Sequence, residues 1–144
     1  MQVHRRISRL IRAGLPLLPF ALSACYSTAE IGETTHAIEM FHFDLDQAYY
    51  AQIWKSTASE MRTSTTEPDL TKFLTAVHKK LGQVAQTQQM GVNVNYNTAG
   101  TYITVTMHTR FQHGTGDETF VFRSKDNDVR LVGYHVASND MMML

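Results

Sequence analysis

Apolar and polar residues alternate regularly along the last third of the chain. Between Tyr102 and Phe111 the apolar side chains share one parity and the polar ones share the other, which is the period of a half-buried strand. Turns at 113–116 and 125–128 separate this strand from two further strands, at 118–123 and 129–136. The glycines of the first turn can adopt positive φ angles. The pattern predicts a three-stranded antiparallel meander.

A fourth strand and several helices precede this meander. Residues 85–96 also alternate and reach the meander through a turn at 97–100. Apolar residues at helical spacing predict a short helix over 36–43, and a capping pattern at Asp44 indicates that the chain breaks there and restarts a helix to about residue 62. A further helix is predicted from a cap at Thr66 to Gly82, and it buries one stripe: Leu70, Phe73, Leu74, Val77 and Leu81. Helices followed by four strands predict an α+β fold, with the N-terminal helices packed on a curved four-stranded antiparallel sheet.

The first 24 residues have the composition of an export signal. Four arginines and no acidic residue precede an apolar stretch at 13–22, which is too short to span a bilayer as a helix. The segment Leu22-Ser-Ala-Cys25 resembles the bacterial lipobox, and this resemblance implies that Cys25 is lipidated and becomes the first mature residue. Tyr26 is not the aspartate that retains such proteins in the inner membrane, so the outer membrane, facing the periplasm, is expected.

These features divide the chain into four segments. We expect a lipoprotein signal peptide at 1–24, the lipidated Cys25 with a flexible tether at 25–35, an α+β domain at 36–138 and a frayed tail at 139–144. An ordinary signal peptide cut near Ala24 is the alternative. The 144 residues suit one domain. Outside the leader, nine basic residues face 13 acidic ones, and this mildly acidic balance argues against a nucleic-acid partner.

Two residues are candidates for acid–base chemistry. His135 shares parity with Leu131 and Gly133 and is therefore expected to be buried, while Asp44 lies at the predicted helix break. A structural histidine and a helix cap are the alternatives, because neither residue has a partner at an interpretable spacing. The histidines lack the spacing of metal ligands, so no metal and no cofactor are expected. Thioethers at 141–143 could bind cuprous copper only if the terminus were ordered.

Two surfaces are candidates for binding. Tyr49, Tyr50 and Trp54 lie on consecutive helical turns and, with His135, could line a ligand cavity, although aromatic residues at this spacing also form cores. The second surface is the polar face of the longest strand, which could pair with a protein partner or with another copy, or could be a solvated face. Its members are Tyr102, Thr104, Thr106, His108 and Arg110.

Three segments carry a family resemblance. Asp44 to Tyr49 ahead of Trp54, Lys80-Leu-Gly-Gln-Val84 and Arg130-Leu-Val-Gly-Tyr134 resemble small bacterial lipoproteins of unknown function with a nuclear transport factor 2-like, cystatin-like cone fold. The similarity covers about residues 38–136. It implies helices on a curved sheet, and in enzymes of this fold an acidic residue or a histidine inside the cone. One departure is Arg130, which stands where the last strand usually begins with an aromatic residue.

Two functions follow from the sequence as expectations. The first is a non-catalytic lipoprotein of the cell envelope, anchored in the lipid bilayer through Cys25, that binds a protein partner or a second copy through its sheet. The second is a binder of a small apolar ligand inside the cone, or less favourably an isomerase- or hydrolase-type enzyme. A cone plugged by Phe73, Met107 and Phe111 would favour the first function, and an enclosed pocket would favour the second.

Overall fold

The computed structural model describes residues 25–126 and 128–143, which form helices, then a sheet, then a short terminal helix. The four strands lie in the order β1-β2-β3-β4, every neighbouring pair is antiparallel, and the sheet is curved and open. The predicted α+β architecture is therefore confirmed. The elements are α1 (Cys25–Asp46), α2 (Tyr50–Ser56), α3 (Ser59–Ser64), α4 (Glu67–Leu81), β1 (Val84–Asn97), β2 (Gly100–Phe111), β3 (Gly114–Lys125), β4 (Asp128–Ala137) and α5 (Asn139–Met143).

The core lies between the helices and one face of the sheet. The inward parity of β2 is the predicted one, with Ile103, Val105 and Met107 all buried. Phe120 and Phe122 of β3 stack with ring centroids 6.2 Å apart. Burial of such side chains contributes about 1.5 to 3 kcal/mol each. The inner face of the sheet is filled with large side chains along most of its length.

The first helix is longer than the sequence pattern predicts. Residues 25–35 are helical rather than a flexible tether, and Thr34 is fully buried on the stripe that continues through Ile38 and Phe41. The predicted break in the helical region is present, but it lies after Asp46 rather than at Asp44. The helix ends at Asp46, and the chain turns at Ala48, whose φ of 57° is left-handed, while the Tyr49 N–H donates to the Asp44 carbonyl oxygen at 2.7 Å.

One edge of the sheet is closed by the chain between α2 and α3. The Ala58 N–H donates to the Leu131 carbonyl oxygen at 2.8 Å, and Thr57 forms a parallel bridge with Leu131 of β4. Arg130 Nη1 donates to the Lys55 carbonyl oxygen at 3.1 Å. Because the chain at Thr57 and Ala58 is extended and bonded to β4, the predicted single helix up to residue 62 is divided in two.

Helix α4 follows its predicted signals. Thr66 is the N-cap, and its Oγ1 accepts a hydrogen bond from the Asp69 N–H at 3.3 Å, which satisfies one free amide of the first turn. Gly82 ends the helix with a φ of +77°, and a Cβ there would lie 2.8 Å from Gln112 Cβ. A larger residue would therefore be strained and crowded at this position.

The C-terminal segment is a helix rather than the frayed tail that we predicted. Thr115 N–H donates to Asp140 Oδ2 at 2.9 Å, Met141 N–H donates to Ser138 Oγ at 3.2 Å, and Lys80 Nζ donates to the Met141 carbonyl oxygen at 3.2 Å. Met141 packs against the hydrophobic core. These contacts hold α5 across the end of the sheet.

A bulge in β4 reverses its side-chain parity. Phe122 pairs with Leu131 but Val121 pairs with Gly133, so Val132 is an extra residue in the ladder. Leu131 is buried before the bulge, and after it Tyr134 and Val136 face inward.

Candidate functional site

A buried carboxylate is the most polar feature of the core. Glu118 of β3 is fully buried, beside Phe120 on the inner face. Its Oε2 lies 2.8 Å from His42 Nε2 and accepts a hydrogen bond from Thr109 Oγ1, while its Oε1 accepts one from the Tyr134 hydroxyl at 2.6 Å. We call these four residues the Glu118 network. Both oxygens of the carboxylate are therefore engaged by neighbouring side chains.

Four elements bring the network together. His42 follows Phe41 on the buried stripe of α1, and Thr109 lies on the inward parity of β2. Glu118 shares parity with Phe120, which places it under α1. Tyr134 faces inward only because the β4 bulge precedes it. The network thus joins the first helix to three adjacent strands.

Aromatic rings enclose the network. The Phe41 and Tyr134 ring centroids lie 4.6 Å apart, those of Phe120 and Tyr134 lie 5.1 Å apart, and those of His42 and Phe120 lie 5.7 Å apart. This apolar burial, with the charge of Glu118 and its hydrogen bond, raises the pKa of Tyr134 well above its usual value because it disfavours the phenolate. Tyr134 is therefore a neutral donor at physiological pH.

The network has the chemistry of a satisfied structural cluster. An ionised carboxylate only accepts hydrogen bonds, so with Glu118 charged the Nε2 atom of His42 carries the proton. Burying that charge without partners would cost several kcal/mol, and the three donors offset this cost. As folded, the carboxylate faces its own donors rather than a bound substrate.

His135 is exposed, so its predicted burial is wrong. Counting alternate residues from Leu131 places the His135 side chain on the inner face of the sheet. The extra residue at Val132 shifts this alternation by one, so the Tyr134 side chain faces inward instead. Because one extra residue exchanges the two faces of a strand, simple parity counting fails across it.

Asp44 is not a helix cap, so the structural alternative given for this acid–base candidate is wrong. It lies in the last turn of α1, half-buried, and burial raises the pKa of its carboxyl group. Its side chain lines a small cavity of about 80 Å³ together with Phe41, Ser56 and Phe122. At about 30 Å³ for each water molecule, this cavity has room for about two or three.

The aromatic cluster does not gather around His135. Tyr49 is exposed and meets Phe43 edge-on, with ring centroids 6.3 Å apart. Tyr50 and Trp54 are partly buried against the core, and the Arg62 guanidinium lies 5.5 Å from the Trp54 ring centroid. The geometry does not favour a ligand cavity shared by Tyr49, Tyr50, Trp54 and His135. Such a cavity remains a prediction.

Residues on the polar face of β2 differ in whether other side chains contact them. Tyr102 OH donates to Glu60 Oε1 at 3.2 Å, and Arg123 Nη1 donates to the same oxygen at 2.6 Å. Hydrogen bonds, first from its own backbone amide, together with the Arg123 charge hold the pKa of Glu60 below its usual value. The five residues lie on one face, of which the first three are partly buried and the last two exposed: Tyr102, Thr104, Thr106, His108 and Arg110.

The far end of this face is exposed. His108 Nδ1 lies 2.7 Å from Asp117 Oδ1, and Arg110 Nη2 donates to Gln86 Oε1 at 3.1 Å. An open groove of about 600 Å³ runs between His108, Asp117 and His135 on one side and α5 on the other. Within residues 25–126 and 128–143, no group of three or more His, Cys, Asp or Glu side chains could hold a metal ion.

Two members of the buried network, His42 and Glu118, were missed by sequence reasoning. A signal was present for each, since Glu118 has the parity of Phe120 and Phe122, and His42 lies beside Phe41 on an apolar stripe. Nothing local showed that they would meet, because their separation of 76 residues is closed only by the fold.

The fold and the network define a small α+β domain that holds a buried carboxylate between its first helix and its sheet. The chain belongs to the family described as "Protein of unknown function (DUF4019)", which matches residues 37–134, about two thirds of its length. The whole Glu118 network lies within this range, whereas the leader and Cys25 precede it. A comparison with curated proteins finds no match.

Proposed function

We propose that the protein is a lipid-anchored lipoprotein of the cell envelope, with a nuclear transport factor 2-like, cystatin-like domain that acts as a non-catalytic protein-binding module. The leader and the lipobox-like segment ending at Cys25 support the anchor and an outer-membrane location facing the periplasm. Helices on a curved sheet support the fold assignment. In the described part of the chain, no helix has the length and apolar character required to span a bilayer.

The main support for the binding role is that some parts of the sheet are buried and others are exposed to solvent. The inner face is packed with apolar side chains and the closed Glu118 network, whereas β1 is exposed along most of its 14 residues. Met90 and Tyr96 of β1 are 63% and 65% exposed, so this edge strand leaves two large apolar side chains and its backbone groups open to a partner.

The arrangement of the interior supports a non-catalytic role. Catalysis by an acid or base requires the group to reach a substrate by a hydrogen bond or through one water molecule. Glu118 is fully buried and already has three side-chain partners. Its arrangement suits a structural role, and the exposed side of the sheet is then the working surface.

Binding of envelope proteins to the immobilised full-length chain tests this proposal. The double variant His108→Ala/Arg110→Ala changes two exposed residues on the face of β2, and it is expected to weaken binding at least tenfold while melting within a few degrees of wild type. The matched control is Lys72→Ala/Lys79→Ala on exposed positions of α4. Equal binding by the wild-type chain and both variants would exclude this face of β2.

One observation favours ligand binding as a second candidate function. A cleft of about 370 Å³ lies between α4 and β4, lined by Phe73, Tyr134 and His135 among others, so the Tyr134 ring joins the cleft to the Glu118 network. Native mass spectrometry of the full-length chain would reveal a retained small molecule. A ligand lost on Phe73→Ala but kept in Lys72→Ala would support this candidate.

A further inference from the structure

The two edge strands of the sheet, β4 and β1, differ in the contacts that they make. Thr57, Ala58 and Lys55 contact the β4 edge at Arg130 and Leu131. The β1 edge carries a contact at its start, where the Val84 N–H donates to Asp46 Oδ1 at 3.0 Å, and its later residues are largely exposed. A long exposed edge offers unpaired backbone groups to another strand.

The composition of β1 leaves this edge unprotected. Its sequence, VAQTQQMGVNVNYN, contains no charged residue and no proline, which are the residues that block pairing at natural edges. Register shifts with β2 fall between Val84 and Gln86 and between Gln89 and Gly91. From Gly91 to Asn97 the ladder is regular, so this segment is the longest part of β1 free of bulges.

This segment is suited to pairing with itself. In an antiparallel pair related by a twofold axis at Val94, Asn93 of one copy faces Asn95 of the other, and a side-chain amide both donates and accepts hydrogen bonds. No like charges meet across the axis, as they would in a charged strand. Asn93 and Asn95 are exposed on one face, while Val92 and Val94 pack partly against the core.

We propose that two copies of this chain associate through antiparallel pairing of residues 91–97, forming one continuous eight-stranded sheet. This inference rests on the proposed function, because it names the partner of the exposed sheet. Anchoring in one membrane would also raise the local concentration of the chains.

Cysteine scanning of the full-length chain in membranes tests the pairing. Single variants Gly91→Cys, Asn93→Cys, Val94→Cys and Asn95→Cys are oxidised with an added thiol oxidant that accepts two electrons and two protons for each disulfide formed. Identical positions in antiparallel strands separate by about 6.8 Å for each residue from the axis, and disulfides require Cα atoms within about 7 Å. We expect one sharp maximum of disulfide-linked dimer at Val94→Cys. Thr98→Cys in the adjacent turn is the control.

Paired charges supply an independent test. Asn93→Lys/Asn95→Lys places like charges opposite each other and is expected to weaken dimer formation at least tenfold, as is Asn93→Glu/Asn95→Glu. An equimolar mixture of the two variants should dimerise again. Thr98→Lys should behave as wild type.

The outcomes separate this inference from the proposed function. Uniform crosslinking along the scan, or a monomer at every concentration, would overturn the β1 pairing. If envelope proteins still bound under those conditions, the binding role would stand with a different partner. Crosslinks from these positions to another protein would assign the edge to that protein instead of a second copy.

Discussion

At the scale of single residues, Glu118 is an ionisable side chain in the folded core. A carboxylate in the core is unfavourable on its own, and here His42, Thr109 and Tyr134 each contact one of its oxygens. The cluster replaces water with three fixed partners. Each member should therefore be more costly to remove than an exposed residue of the same type.

Glu118→Ala should lower the free energy of unfolding by about 3 to 5 kcal/mol, because it leaves three buried polar side chains without their acceptor. Urea unfolding of the full-length chain measures this loss. The control Glu33→Ala, at an exposed position of α1, should stay within about 0.5 kcal/mol of wild type. A loss below about 1 kcal/mol for Glu118→Ala would show that the network contributes little.

Tyr134→Phe should cost about 1 to 3 kcal/mol at neutral pH, since Glu118 Oε1 loses its donor. The difference from wild type should then narrow as the pH rises above about 10. Tyr134 has a raised pKa in the fold, so above that pH the unfolded wild type releases a proton that the native state retains, and wild-type stability falls. Unfolding curves from pH 7 to 11 test this, with the exposed Tyr96→Phe as control. A constant difference across this range would contradict the burial of the phenol.

At the scale of elements, local signals decide where helices start and how strands alternate. The cap at Thr66, the stripe of α4 and the inward parity of β2 were all predictable because each depends on residues a few positions apart. The bulge at Val132, the helical conformation of residues 25–35 and the docking of α5 were not. The docking of α5 depends on contacts between distant segments, such as Thr115 with Asp140, and the bulge shows only in the pairing of β4 with β3.

Thr66→Ala should destabilise the protein by about 1 kcal/mol, because the first turn of α4 loses its side-chain acceptor for the Asp69 amide. Thermal melts of the full-length chain measure the effect. Thr63→Ala changes a threonine of α3 whose hydroxyl donates to the Ser59 carbonyl oxygen and should stay within about 0.5 kcal/mol of wild type. Equal melts for the two variants would show that the cap is not stabilising.

At the scale of the whole molecule, the first helix changes the expected link to the membrane. Helix α1 (Cys25–Asp46) includes Cys25 and spans 22 described residues, about 33 Å at 1.5 Å per residue. If Cys25 is acylated as proposed, the lipid is joined directly to a helix that packs on the sheet. The body would then be held by a helix rather than by a flexible tether.

Cys25→Ser should release the protein from the membrane or leave the precursor uncleaved. Acyl chains supply about 0.8 kcal/mol of membrane affinity for each buried CH₂ group, and the variant cannot carry them on a thiol. Membrane fractionation and intact-mass measurement test this, with Ser27→Ala as control. A variant of mature length that stays with the membrane would argue against lipid anchoring at this residue.

The central claim is that the sheet side binds protein while the interior is structural, and site-specific photocrosslinking in intact cells tests it most directly. A photoreactive residue is placed in the full-length chain at Thr106 on the face of β2, at Asn93 on the β1 edge, at Lys72 on α4 or at Phe73 in the cleft over Tyr134. The account predicts discrete protein crosslinks from Thr106 and Asn93 and none from Lys72 or Phe73. Protein crosslinks only from Lys72 or Phe73, or none from any position, would contradict it.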